Sequence, residues 1–292
     1  MLTLTGITKT YGDRRALDDV SFGIERGRLT GFVGANGAGK TTTMRILLGL
    51  LVPDGGTVEQ DGMVVGADQR RRFGYMPEER GLYPKMKVAE QIEYLGRLRG
   101  MGKRSAASAT AELLERLGLS ERAGDLVEKL SLGNQQRAQI AAALVHDPDV
   151  LVLDEPFSGL DPLAVDSVAG VLSDAAARGA SVLFSSHQLE LVERLCQDIV
   201  VIAGGTIRAS GSADALRDQN AGSRFELLVR QDLEWLSAVD GVRILQARPG
   251  WALFEASPET AQRVLERAIG SGVVSFAPHR PSLTEVFREV VQ

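Results

Sequence analysis

The stretch GANGAGKTT, Gly34 to Thr42, restricts this chain more than any other feature. It satisfies G-x-x-x-x-G-K-[ST] and lies between LTGFV, an apolar run that reads as a buried strand, and a segment with helical spacing. That strand–loop–helix context is what a phosphate cradle needs. Gly34, Gly37 and Gly39 let the backbone aim N–H groups at phosphate oxygens with no Cβ in the way, and the helix that follows adds its positive end. Asn36, Ala38 and Thr42 complete the candidate contact segment. Lys40 is expected to reach the β- and γ-phosphates of a nucleotide, and Thr41 to ligate Mg²⁺.

VLVLDE, residues 150–155, ends a second buried strand in two adjacent carboxylates. Strand alternation predicts that they point in different directions and so take different roles. Asp154 suits the Mg²⁺ shell, and Glu155 is the candidate general base for water attacking a γ-phosphate.

The rest of the chain supplies a frame for these motifs. Short apolar runs separated by turns lead up to Val33. Helical spacing then dominates about residues 83–145, as in Val88, Ile92 and Leu95, giving a helical insert. VLVLD and SVLFS (181–185) are β-rich and flank a helix carrying Val165, Val168, Leu172 and Ala175, so a parallel sheet is expected. After Gly222 the pattern reads strand 224–230, helix 232–239, a hairpin across Pro249-Gly250, helix 258–270, strand 273–277 and a last helix. That βαββαβ order predicts a small ferredoxin-like α+β domain over 222–292, behind a larger α/β domain over 1–220. Cys196 is expected in the core, and Trp235 and Trp251 in the packing of the small domain.

Composition narrows the function classes. A net charge of −5 with mixed signs along the chain argues against nucleic-acid binding. One cysteine and three histidines give no disulfide framework and no metal-ligand spacing, which fits a reducing cytosol. No apolar run approaches the ~20 residues that span a bilayer, and MLTLTGITKT lacks the apolar core of a signal peptide. A membrane role is therefore expected only through a partner.

LSLGNQQR, residues 130–137, looks like a second anion-holding helix start. With it in place, the residues resemble the ATP-binding cassette (ABC) family over about residues 1–220. The phosphate loop corresponds to Walker A, Asp154-Glu155 to Walker B, LSLGN to the signature and Ser158-Gly159-Leu160-Asp161 to the D-loop. The resemblance implies a P-loop NTPase core with an antiparallel β subdomain, binding and hydrolysing ATP with Mg²⁺. It also implies that Tyr11 stacks on adenine and that His187 contacts the γ-phosphate beside Lys40 and Glu155. Two cassettes pair head to tail in that family, so Ser131, Gly133 and Asn134 would cap ATP held by a partner subunit, identical or different.

Two departures stand out. Leu132 and Asn134 replace the glycine and glutamine of LSGGQ, and Glu78 stands where the family's Q-loop glutamine would be. A carboxylate there can still ligate Mg²⁺ at the cost of added negative charge. GYMPEERGLYPKMKV (74–88), LSLGN and a C-terminal extension ending PSLTEVF resemble bacterial export cassettes of sodium or of drug and antibiotic efflux. The implied setting is the cytoplasmic face of the membrane, held there by integral-membrane transporter subunits. The alternative is a soluble ABC-type ATPase acting on a non-membrane partner such as the ribosome. Against it, such proteins usually carry two cassettes in one chain and a basic connector.

Overall fold

The structure, a computed structural model, describes residues 1–79, 81–220 and 223–291. The expected domain boundary at Gly222, and Arg80 within GYMPEERGLYPKMKV, lie outside them. The chain forms two compact units, Met1–Ala213 and Asp214–Val290.

The first unit opens with β1 (Leu2–Tyr11) and β2 (Arg14–Ile24), which pair antiparallel. Leu2, Leu4 and Ile7 of β1 and Leu17, Val20, Phe22 and Ile24 of β2 are buried, because alternate side chains of a strand share one face. Next come β3 (Leu29–Val33), α1 (Lys40–Leu47), β4 (Gly55–Gln60), β5 (Met63–Val64), α2 (Ala67–Arg70) and β6 (Phe73–Met76). β4 and β5 complete a four-stranded sheet of order β2-β1-β4-β5, the antiparallel subdomain.

The expected helical insert consists of α3 (Val88–Leu98), α4 (Lys103–Arg116) and α5 (Leu132–Leu144). Ala106, Thr110 and Leu114 make the buried stripe of α4, at the four-residue spacing that keeps side chains on one helix face. Ser131 starts α5, its Oγ accepting the Asn134 N–H at 3.4 Å.

Alternating elements then build the main sheet: β7 (Val150–Leu153), α6 (Pro162–Ala177), β8 (Ser181–Ser186), α7 (Leu189–Leu195), β9 (Asp198–Ala203) and β10 (Thr206–Ser212). Its order is β10-β9-β3-β8-β7-β6, parallel except for the edge strand β10. All five residues of β3 and all four of β7 are buried, as strands covered on both faces require. Asp161 caps α6 by accepting the Ala164 N–H at 2.9 Å, Pro162 fills its first turn, and Gly179 lies beyond its end at φ 104°. Cys196 is buried just after α7, and burial raises its thiol far above the usual range.

The second unit begins one residue into α8 (Ala213–Asn220) and continues through β11 (Arg224–Val229), β12 (Arg243–Arg248), β13 (Trp251–Glu255), α9 (Pro258–Ala268), β14 (Val273–Pro278) and α10 (Leu283–Val291). The antiparallel order β12-β13-β11-β14 is the ferredoxin-like arrangement expected of βαββαβ. The expected helix over 232–239 is instead a 3₁₀ segment, Glu234–Ala238. Asp232 Oδ1 takes the Leu233 N–H at 2.6 Å before it, and Gly241 turns the chain at φ 83° beyond it. Leu236, Phe254 and Val264 centre this unit's core, with Trp235 packed against it and Phe225 stacked on Phe276. Arg248 lies over the Trp251 ring at 4.6 Å.

Candidate active site

β3, β7 and β8 are neighbours in the sheet and run the same way, so the loops at their C-terminal ends converge, where ligands of open α/β sheets bind. The phosphate loop leaves β3. Its glycines are set by space as well as by conformation: a Cβ on Gly34 would lie 2.4 Å from the Ile202 carbonyl oxygen. One on Gly39, at φ 112°, would lie 2.6 Å from Leu17 Cδ2. Lys40 is buried at the foot of the loop, its Nζ donating to the carbonyls of Gly34 (2.7 Å) and Ala35 (3.3 Å). The Ala38 N–H is used within the loop, on the Ala35 carbonyl at 3.1 Å.

A cleft of about 520 Å³ opens over this loop. Tyr11, Asn36, Gly37, Gly39, Lys40, Thr41, Thr42, Glu78, Asp154 and Glu155 all line it, so residues from four distant stretches meet there. Thr41 Oγ1 donates to Asp154 Oδ2 at 2.9 Å, setting a hydroxyl beside a carboxylate that is 1% exposed. Hard oxygens at the cleft floor, with the exposed Glu78 carboxylate on its wall, fit a Mg²⁺ ion that takes its other ligands from phosphate and water.

Asp154 and Glu155 line the same cleft with different side-chain partners, and strand alternation is not what sets them there. β7 ends at Leu153, and Glu155 adopts the left-handed region at φ 52°. For a side chain with a Cβ this costs on the order of 1–3 kcal/mol, strain that clusters at functional sites. The buried Ser185 hydroxyl joins the two residues, donating to Asp154 Oδ1 (2.6 Å) and accepting the Glu155 N–H (2.8 Å). Gln136 Nε2 donates to the Glu155 carbonyl at 2.9 Å.

Burial raises the Glu155 carboxyl above its ordinary range, opposed by His187 and Lys40 and reinforced by Asp154. His187 Nδ1 lies 3.0 Å from Glu155 Oε2, so the histidine meets the candidate base directly. A base is active when ionised, so activity should fall with pH through this raised value. His187→Ala removes an influence that lowers Glu155, and is expected to move the acid limb of the kcat profile to higher pH. A limb that stays in place in that variant would detach His187 from the base.

Ser131, Gly133 and Asn134 do not line the cleft. They open α5 elsewhere, with Ser131 exposed, and the Asn134 side chain accepts a hydrogen bond from the Arg137 guanidinium. Leu132 is the first residue of α5 and 59% exposed, so leucine in place of glycine meets no backbone conflict there. Sequence reasoning missed Ser185, Gln136 and Arg14. Arg14 lines the cleft, its guanidinium 3.6 Å from where a Gly37 Cβ would stand. A lone arginine beside a turn gives no sequence signal; its lying three residues after Tyr11 was the one available hint.

The fold and this cleft are those of a P-loop ABC ATPase. The ABC transporter family profile matches residues 17–158, and that of the ATP-binding protein DrrA1-3-like C-terminal domain matches residues 211–291. The chain belongs to the ABC transporter ATP-binding proteins. It is 38% identical over 293 residues, 100% of this chain and 98% of the relative, to the uncharacterized ABC transporter ATP-binding protein YhaQ of Bacillus subtilis (strain 168). Identity is 33% over 299 residues (98% and 94%) with the daunorubicin resistance ATP-binding protein DrrA3 of Streptomyces coeruleorubidus. It is 37% over 237 residues (80% and 78%) with the Nod factor export ATP-binding protein I of Bradyrhizobium sp. (strain SNU001). Among solved structures, the ATP binding subunit of an ABC transporter matches with a TM-score of 0.71 at 30% identity, covering 75% of this chain and 93% of that one.

Proposed function

We propose that the chain is the ATP-hydrolysing subunit of a membrane ABC exporter, that it works as a pair of cassettes, and that residues 1–220 carry the ATPase while 222–292 form an accessory domain. The observation that carries the pairing is the position of the signature. Ser131 is exposed at the start of the helix that carries Gly133 and Asn134, and all three lie outside the cleft lined by Lys40, Thr41, Thr42, Asp154 and Glu155; Gly34, Ala38 and His187 do not line that cleft either. A second subunit's nucleotide gives the Ser131 hydroxyl and the Gly133 N–H an acceptor, and hydrogen bonds to charged groups are worth about 1.5–3 kcal/mol each.

In this reading the glycine-loop N–H groups, Lys40 and Thr42 hold the phosphates of ATP, and Tyr11 stacks on adenine. Asp154 and Thr41 hold Mg²⁺, with Glu78 a further ligand; the ion supplies charge neutralisation along the phosphates. Glu155 takes the proton of the water that attacks the γ-phosphate. His187 orients Glu155 and reaches toward the γ-phosphate. Across the interface, Ser131 and the start of α5 hold the same γ-phosphate, so its loss weakens the pair and lets the subunits separate.

Bilayer-spanning segments are assigned to separate subunits, with this chain peripheral on the cytoplasmic face. Among the described residues no helix is long and apolar enough to cross a membrane. A groove of about 740 Å³ lined by Tyr83, Pro84, Lys85, Met86, Tyr94 and Glu128, largely apolar with exposed aromatics, suits a short segment of such a partner. The resistance and export relatives support efflux of a drug-like or antibiotic compound. The test is affinity purification from detergent-solubilised membranes. A stoichiometric hydrophobic integral-membrane protein is expected, and co-purification with ribosomes instead would overturn the exporter reading.

A further inference from the structure

A glutamate stays in the left-handed region only if its surroundings hold it there. Two side chains from different layers hold the Glu155 backbone, beside the local Ser158 N–H that donates to its carbonyl at 3.1 Å. Ser185 belongs to β8, in the same sheet as β7, and takes the Glu155 N–H. Gln136 belongs to α5 and holds the Glu155 carbonyl at 2.9 Å; it is only 8% exposed. α5 is also the helix whose first turn carries Ser131 and Gly133. From Ser131 to Gln136 is less than two helical turns, roughly 8 Å along a rigid hydrogen-bonded rod. A shift of the helix start therefore reaches the Gln136 amide, and with it the peptide that aims Glu155.

We propose that Gln136 is a positioning residue that ties the base of a subunit's own ATP site to the signature helix with which the same subunit caps its partner's ATP. Engagement of α5 at one site sets the backbone of Glu155 at the other. The two sites of a pair are thereby linked through the chain itself, by one buried amide. This rests on the shared-site reading above, and on Glu155 as the base.

Gln136→Met keeps nearly the same volume and removes the N–H donor. The expected result is a kcat about 10- to 100-fold lower, as for a misplaced base, with the KM for ATP unchanged. A merely structural defect would also raise the KM for ATP or weaken nucleotide binding, whereas a misplaced base lowers kcat alone. Gln136→Glu, equal in length but accepting where glutamine donates, should show the same loss of kcat at pH 8 and serves if the methionine variant does not fold. The signature should be untouched, so Gln136→Met in a Glu155→Gln background should still dimerise on ATP addition. Unchanged kcat, or loss of that dimerisation, overturns the proposal. If Glu155→Gln alone stays monomeric with ATP, the shared-site reading fails instead; if Glu155→Gln turns over normally, the base assignment fails.

Discussion

Replacing Glu155 with glutamine is expected to lower ATP turnover by ~10²–10⁴ while leaving ATP binding intact. The separation follows from the geometry. Lys40, Thr41 and Asp154 form the floor of the cleft through contacts of their own, and none of them needs the Glu155 carboxylate. The Ser185 and Gln136 hydrogen bonds to residue 155 run to its backbone, so glutamine inherits the same left-handed placement. What is lost is a carboxylate that burial has lifted toward the working pH. The variant should accumulate as an ATP-bound dimer on size-exclusion chromatography, because γ-phosphate is no longer removed. Single-turnover hydrolysis at a near-normal rate would reject Glu155 as the base.

Ser131→Arg should abolish ATP-driven dimerisation of the Glu155→Gln protein, the second large effect. Ser131 sits exposed at the cap of α5, and a long cation there removes the short hydroxyl and fills the space a partner's γ-phosphate needs. Its ATP affinity as a monomer should barely change, since Ser131 lies outside the cleft. Mixing Ser131→Arg with Glu155→Gln subunits makes the trans assignment visible. One composite site then combines Glu155 from the first with Ser131 from the second, and hydrolysis should partly return. Strong coupling between sites can suppress that recovery, so the dimerisation result is the deciding one. If Ser131→Arg/Glu155→Gln dimerises with ATP as readily as Glu155→Gln, the signature does not cap a partner's nucleotide.

How much of this was legible in the sequence depends on how local each feature is. Gly34 to Thr42 and Asp154-Glu155 are contiguous motifs whose chemistry and strand–loop context can be read without a fold. The βαββαβ pattern after residue 222 likewise led to the observed strand order, because the alternation of elements leaves few unknotted ways to form one sheet. Tyr11, Glu78 and the second cradle at Ser131 acquired roles only through the family resemblance. Ser185 and Gln136 were not legible at all: a serine in a buried strand and a glutamine inside a helix are ordinary residues until something faces them.

The sequence by itself determined which groups the protein can bring to a phosphate, because a glycine loop, a lysine and a helix start act through neighbours in the chain. Only the tertiary structure decided how the carboxylates are aimed. Asp154 and Glu155 are adjacent in sequence, but Glu155 meets its own partner, His187, from a left-handed backbone held by β8 on one side and α5 on the other. That hold exists because the sheet order sets β7 beside β8 and the helical insert returns α5 to the end of β7. A strained backbone is stable only where long-range partners outweigh its cost, and which partners meet is a property of topology rather than of local pattern.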